Sequence, residues 1–172
     1  MEGQTVVGLD LSYPLLKTSS GIIPIQGSGM ALPFRSDLFD FVLCAAALHH
    51  MPDPEKSLSE ILRVTKSGGI IGIVELNTFH PQRKLVANSE SSFRKLFPTT
   101  GFSPSERLIK VNTLIGWLEN TGCHITNITY FTPPYSNPSF IGNIQRYVSW
   151  IAGKGFLKKY VESYLTIRAV KL

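Results

Sequence analysis

An acidic residue ends a short apolar, β-branched run at Val6-Val7-Gly8-Leu9-Asp10. A carboxylate at the carboxyl end of a parallel strand can accept hydrogen bonds from both hydroxyls of a ribose. Each such charge-assisted bond contributes roughly 1.5–3 kcal/mol. Dinucleotide-binding folds use the same device, while Ser12 and Pro14 close behind fit Asp10 equally to a turn or a helix cap. Four histidines, His49, His50, His80 and His124, show no HExxH or other metal-ligand spacing, so no metal is expected. Cys44 and Cys123 form no CxxC and sit in separate apolar contexts, which argues against a disulfide or a zinc site and suits a reducing compartment.

The elements that must position these groups alternate between strand and helix, the pattern of an α/β sheet. Strands are expected over 5–9, 21–26, 39–47 and 70–76. Their continuous apolar runs suit parallel strands covered on both faces. A helix lies between the last two, with Asp53 as its cap, Pro54 at its first position, Glu55 at the positive end of its dipole and Gly68-Gly69 as its end. Leu58, Ile61, Leu62 and Thr65 share one face. Residues 77–104 read as loop with a short helix through 91–96. Ser103-Pro104-Ser105-Glu106 is a capping-box signature for a helix over 104–121, with Leu108, Ile109, Val111, Leu114, Ile115 and Leu118 as its apolar positions and Gly122 as its stop. Strands are expected over 124–132 and 163–172.

A longer series of short motifs runs through the first half. Gly27-Ser28-Gly29-Met30-Ala31-Leu32-Pro33-Phe34 is followed by Phe39-Asp40-Phe41-Val42, then by Leu48-His49-His50-Met51-Pro52-Asp53-Pro54. Lys66-Ser67-Gly68-Gly69 and a strand ending in Glu75 complete it. In this order and spacing the series resembles the class I S-adenosylmethionine-dependent methyltransferases, nearest to their type 11 small-molecule branch. The segments 104–121, 124–134 and 163–172 also resemble that branch, so the likeness extends over nearly the whole chain. It implies a Rossmann-like, mostly parallel sheet with helices on both faces and an antiparallel C-terminal strand.

The resemblance also implies roles. Asp10, with Leu11 beside it, would hold the cofactor's ribose. Ser28, Gly29 and Met30 would meet adenine, with Ser28 standing where the family usually has an aspartate, which predicts weaker adenine affinity. Cys44, Ala45 and Ala46 would line the methionine end, and Asp40 would be structural. His49 and His50 would face the substrate. Either could orient an acceptor or remove its proton, histidine being the natural base near neutral pH. Both equally suit a packing role in the turn. Methyl transfer is an in-line displacement, so the protein's task is mainly alignment and exclusion of water. The expected acceptor is a small molecule or a lipid-like one.

Composition bounds these readings. The 172 residues are 43% hydrophobic and 17% charged, which fits a single globular domain over 1–172 with 77–104 and 133–161 as lid or substrate-side insertions. No apolar run reaches the roughly 20 residues of a membrane span. No secretory signal is apparent, so a cytoplasmic protein is expected. Residues 1–77 carry 5 basic and 8 acidic residues, a net −3, and residues 78–172 carry 12 and 4, a net +8. The basic half, with aromatic and lysine residues interleaved over 135–160, suits either packing or peripheral membrane contact. No NPPY-type motif or RNA-binding signature accompanies it, and no nucleic-acid partner is expected.

The family's first strand and its glycine-rich loop have no counterpart here, since only Met1–Thr5 precede the strand that ends at Asp10 and no GxGxG occurs. The fold is therefore expected to be incomplete at its N-terminus, with unpaired strand edges flanking the gap. Truncation, a split enzyme, a direct pairing of the flanking strands, and a homodimer or partner segment completing the sheet remain open. So does a non-catalytic remnant acting as a binding or assembly module.

Overall fold

The computed structural model describes residues 5–79, 108–131, 159 and 164–172. The helix expected within 91–96, the capping signature at 103–106, His80, and almost all of the 77–104 and 133–161 insertions lie outside the described residues.

Two parallel strand pairs form the first half. β1 (Val7–Asp10) pairs in parallel with β2 (Ile23–Gln26), Asp10 standing opposite Gln26. Between them, α1 (Tyr13–Lys17) carries Pro14 in its first turn and buries Leu16. Gly8 leaves room for the crossing: a Cβ there would lie 2.5 Å from Ile22 Cδ1. The second pair is β3 (Phe39–Ala45) with β4 (Thr65–Leu76), again parallel. The connecting helix α2 (Pro54–Val64) is capped by Asp53, whose Oδ1 accepts from the Lys56 N–H at 2.9 Å. That bond satisfies a donor the helix itself leaves unpaired.

The second half extends the β3–β4 pair. α3 (Val111–Asn120) is followed by β5 (Cys123–Phe131) and β6 (Tyr164–Lys171). The strand order is β3-β4-β6-β5, and β6 is antiparallel to both of its neighbours. Among the described residues, β6 is thus the one strand of this sheet that runs against the rest. The mixed α/β class, mostly parallel with an antiparallel final strand, is the one expected.

One face of the sheet makes the core. Ile71 and Ile73 of β4 and Leu165, Ile167 and Ala169 of β6 are fully buried there. They pack with Leu58, Ile61 and Leu62 of α2 and with Val111, Leu114 and Leu118 of α3. Buried aliphatic side chains of this size contribute about 1.5–3 kcal/mol each, so this cluster is the chief source of stability. On the opposite face of β3, Phe41 and Leu43 remain 53% and 55% exposed.

Two element boundaries differ from expectation. α2 ends at Val64, four residues before Gly68-Gly69. Thr65 is already extended and aligns with Phe39, because the backbone N–H groups of Asp37 and Leu38 take the carbonyls of Arg63 and Val64. Sheet pairing thus outcompetes further helical turns. α3 begins at Val111, after Leu108 and Ile109, with the Val111 N–H held by Thr78 Oγ1 at 3.1 Å. A contact 33 residues away in sequence sets that start. Gly122 does stop α3, in the left-handed region at φ +83°.

β1 and β3 do not pair with each other. Among the described residues β1 has only β2 as a partner, and β3 only β4.

Candidate functional site

The candidate site is assembled from the segments that follow β1, β2, β3 and β4. Asp10 is exposed, and its Oδ1 accepts from the Ser12 N–H at 2.7 Å. This turn fixes the carboxylate and leaves Oδ2 without a hydrogen bond among the described residues. The Asp10 carbonyl accepts from the Gly27 N–H at 3.1 Å, and Gln26 Nε2 donates to the Leu11 carbonyl at 2.9 Å. The loops after β1 and β2 are thereby tied together. The Leu11 side chain is exposed.

Ser28 closes the next turn on itself. Its Oγ accepts from the Met30 N–H at 3.2 Å and its carbonyl from the Ala31 N–H at 3.1 Å. Gly29 lies against Met51: a Cβ there would stand 3.0 Å from Met51 Sδ and nearer still to its Cε. The close approach joins the loop after β2 to the turn after β3. Asp10 and the Leu48-His49-His50 turn are therefore linked at the carboxyl ends of the two parallel pairs.

The Leu32-Pro33-Phe34 segment between those loops is clamped from α2. Arg63 binds Glu60 through Nε at 2.7 Å and Nη2 at 2.8 Å. Its guanidinium also donates to the carbonyls of Phe34 at 2.8 Å and Leu32 at 3.0 Å, and Glu60 Oε2 accepts from the Leu32 N–H at 2.8 Å. The Arg63 hydrogen bond holds the Glu60 carboxyl below the usual glutamate range.

Beyond β3 the chain turns sharply. Ala46 adopts φ 49°, a region costly for a residue with a Cβ, and its N–H donates to the Val74 carbonyl at 2.8 Å. The turn carries the chain over β4 into the 3-10 segment Leu48–His50. Cys44 points the other way, into the core, and burial pushes its thiol up to about 12. Its side chain is thus a neutral packing group. Ala45 and Ala46 are exposed beside it.

The two histidines differ sharply. His49 is buried, and its Nδ1 lies 2.7 Å from Glu75 Oε2, the two side chains being only 6% and 4% exposed. Glu75 Oε1 accepts from the Leu48 N–H at 2.9 Å. His50 is exposed, its ring 4.1 Å from that of His49. Glu75 is the residue that sequence reasoning placed in the motif series without a role. The available signal was an acid at a parallel strand's carboxyl end, the same placement that singled out Asp10. His124 sits on β5, away from these groups. Asp40 forms an exposed 2.7 Å pair with Lys66.

The chain is similar in sequence and in fold to known methyltransferases. Residues 1–73 match the family described as "Methyltransferase domain". A demethylmenaquinone methyltransferase from Renibacterium salmoninarum is 40% identical over 87 residues, which is 47% of this chain and 37% of that protein. The chain thus matches well under half the length of that curated relative. Among solved structures, an S-adenosylmethionine-dependent methyltransferase from Thermotoga maritima superposes with a TM-score of 0.67 at 17% identity, covering 96% of this chain and 72% of that one. Another, from Mesorhizobium loti, gives 0.66 at 18% identity, covering 97% and 80%. At these identities the superpositions establish the fold.

Proposed function

On the premise that this chain is built as a class I S-adenosylmethionine-dependent methyltransferase of the small-molecule type, we propose that it transfers a methyl group to a small apolar acceptor. The observation that carries the reading is the junction of the Asp10 turn, the 27–30 loop and the Leu48–His50 turn at one end of the parallel strands. Ligands of open α/β sheets bind at those strand ends.

The residues present fit S-adenosylmethionine. Asp10 Oδ2 is exposed and uncommitted, as a group that grips a ribose diol must be. Leu11 offers an apolar flank, and the Ser28-Gly29-Met30 loop offers neutral polar groups for a base. The exposed residues Ala45 and Ala46 suit the amino-acid end, while Cys44 supports that strand from behind. When bound, the cofactor supplies a methyl group on a sulfonium, its own electrophile and leaving group. The chain's work is to hold the acceptor in line and to keep water out. His49 and His50 stand at the end of β3 for that purpose. His49 is the better placed to handle a proton, being anchored to a carboxylate.

The curated relative takes its name from demethylmenaquinone, so a quinone-type, lipid-like acceptor is the first to test. Such an acceptor suits a cytoplasmic enzyme touching a membrane surface. Among the described residues no helix is long and apolar enough to cross one.

Calorimetric titration of this chain with S-adenosylmethionine tests the reading, with saturable heat expected. Asp10→Ala should weaken binding by at least roughly 1.5 kcal/mol, about tenfold. An unchanged affinity removes Asp10 from the site.

The edges of β1 and β3, which have no partner among the described residues, favour a second reading, a binding or assembly module completed by another strand in a homodimer or by a partner segment. Absence of heat at millimolar cofactor, together with self-association in sedimentation, would select it.

A further inference from the structure

We propose that Glu75 is the positioning residue of this site, holding His49 as the neutral tautomer with its proton on Nδ1 and Nε2 left as the proton acceptor for an acceptor molecule's O–H or N–H. The proposal deepens the methyltransferase reading and rests on it for its chemistry. Its geometry stands alone.

Glu75 uses both oxygens on one short stretch of chain. Oε1 takes the Leu48 N–H at 2.9 Å and Oε2 faces His49 Nδ1 at 2.7 Å. Oε2 also takes the Leu76 N–H at 3.3 Å. An ionised carboxylate only accepts hydrogen bonds, so the nitrogen facing it must carry the proton. In a neutral imidazole the other nitrogen is then the acceptor. Nε2 points away from the carboxylate, and no described residue donates to it. A buried polar atom normally has a partner, from protein, water or ligand. An anchored ring whose one unpaired nitrogen is buried at the carboxyl ends of parallel strands suits a ligand hydrogen. The exposed His50 has no such anchor.

The proton balance is simple. As the acceptor's O–H or N–H bond breaks, its electrons stay with the acceptor. The deprotonated atom, or a ring carbon conjugated with it, would bond the methyl group while the sulfonium's bond to that methyl breaks, its electron pair staying on sulfur, which leaves as a neutral thioether. On a ring carbon, the ring hydrogen then moves as a proton to the oxygen as aromaticity is restored. The proton goes to Nε2. The imidazolium so formed is stabilised by the Glu75 carboxylate and returns the proton to solvent after product leaves. Neighbouring titratable groups on the described elements are His50, whose ring touches that of His49, and the neutral Cys44 thiol.

The test is long-range proton–nitrogen NMR of the full chain with nitrogen-15-labelled histidine, at neutral pH and without ligand. His49 is assigned by the loss of its signals in His49→Gln. The wild type is expected to show a pyrrole-like Nδ1 and a pyridine-like Nε2. Glu75→Gln keeps an acceptor for Leu48 but can turn its amide N–H toward Nδ1, which should flip His49 to the Nε2-protonated form. Glu75→Asp restores a carboxylate and should restore the wild-type tautomer at least in part. A wild-type His49 protonated on Nε2 overturns the proposal, as does a Glu75→Gln spectrum unchanged at His49. If Glu75→Gln does not fold, the wild-type and Glu75→Asp spectra decide alone. Titrating the same samples with S-adenosylmethionine keeps the two ideas apart. The expected tautomer without cofactor binding supports the positioning role and rejects the methyltransferase reading. Binding with the wrong tautomer rejects the positioning role only. With the reduced hydroquinone, demethylmenaquinol, as the probe acceptor, Glu75→Gln should lower kcat at least tenfold and leave KM within about threefold. An equal kcat overturns the proton-acceptor role.

Discussion

Neighbouring residues of one type have been given opposite environments at this site. His49 is enclosed and tied to a carboxylate, while His50 is open to solvent. Asp10 is open with one oxygen free, while Glu75 is enclosed with both oxygens engaged. Cys44 belongs to the enclosed group, and its raised thiol gives a clear expectation. In the native chain iodoacetamide at pH 8 should leave Cys44 unmodified over hours, and denaturant should make it reactive. Fast native-state labelling would contradict its burial. The sign of the accompanying pH effect follows from the folded thiol titrating near 12 against an ordinary value near 9. Stability from keeping this thiol neutral is intact below about pH 9. It is lost as pH rises toward 12, because only the unfolded chain can release the proton freely. Denaturant midpoints measured from pH 8 to 10.5 should fall.

At the scale of the element, α2 does two jobs. Its apolar face, Leu58, Ile61 and Leu62, packs into the core, and its opposite edge clamps the Leu32–Phe34 backbone through Glu60 and Arg63. Arg63→Ala should leave the core packed but free the clamped segment and leave the Glu60 carboxylate without its cation. We expect a lower urea midpoint, with faster amide exchange at Leu32. Wild-type exchange rates there would refute the clamp. Glu60 is held low by Arg63, so its contribution is complete above the ordinary glutamate range and is lost as pH falls through its depressed value. The Arg63→Ala variant should therefore lose less stability than the wild type on acidification. The periodicity of α2 and its Asp53 cap were legible in the sequence, because both are local patterns. Its end was not, because Thr65 and the residues before it are drawn into sheet contacts with 37–39. The start of α3 was hidden for the same reason, being held by Thr78 Oγ1.

At the scale of the molecule the sheet is in two parts. β4 and β6 are interior strands with partners on both sides, while β1 and β2 form a pair of their own. The short β1–β2 pair is tied to the rest through the Gly29–Met51 contact and the Arg63 clamp. Native-state hydrogen exchange should therefore find the slowest amides in β4 and β6, near the global unfolding limit, with those of β1 and β2 at least tenfold faster. Equal protection across all the strands would mean that the pair is held by more than these contacts. Phe41 and Leu43, exposed on β3, lie on the strand that has only β4 as a partner among the described residues.

The sequence alone determined the alternation of strands and helices, the acid at the end of β1, the cap of α2 and the order of the motif series. These depend on neighbours within a few positions, whose periodicity and chemistry survive in one dimension. Tertiary structure decided which of two adjacent histidines is enclosed, that Glu75 faces it across 26 residues, and that Cys44 turns into the core. It also decided where α2 ends and where α3 begins. Burial and hydrogen-bond partnership across the sheet are properties of pairs distant in the chain, and no local pattern encodes which member of a pair the fold will enclose.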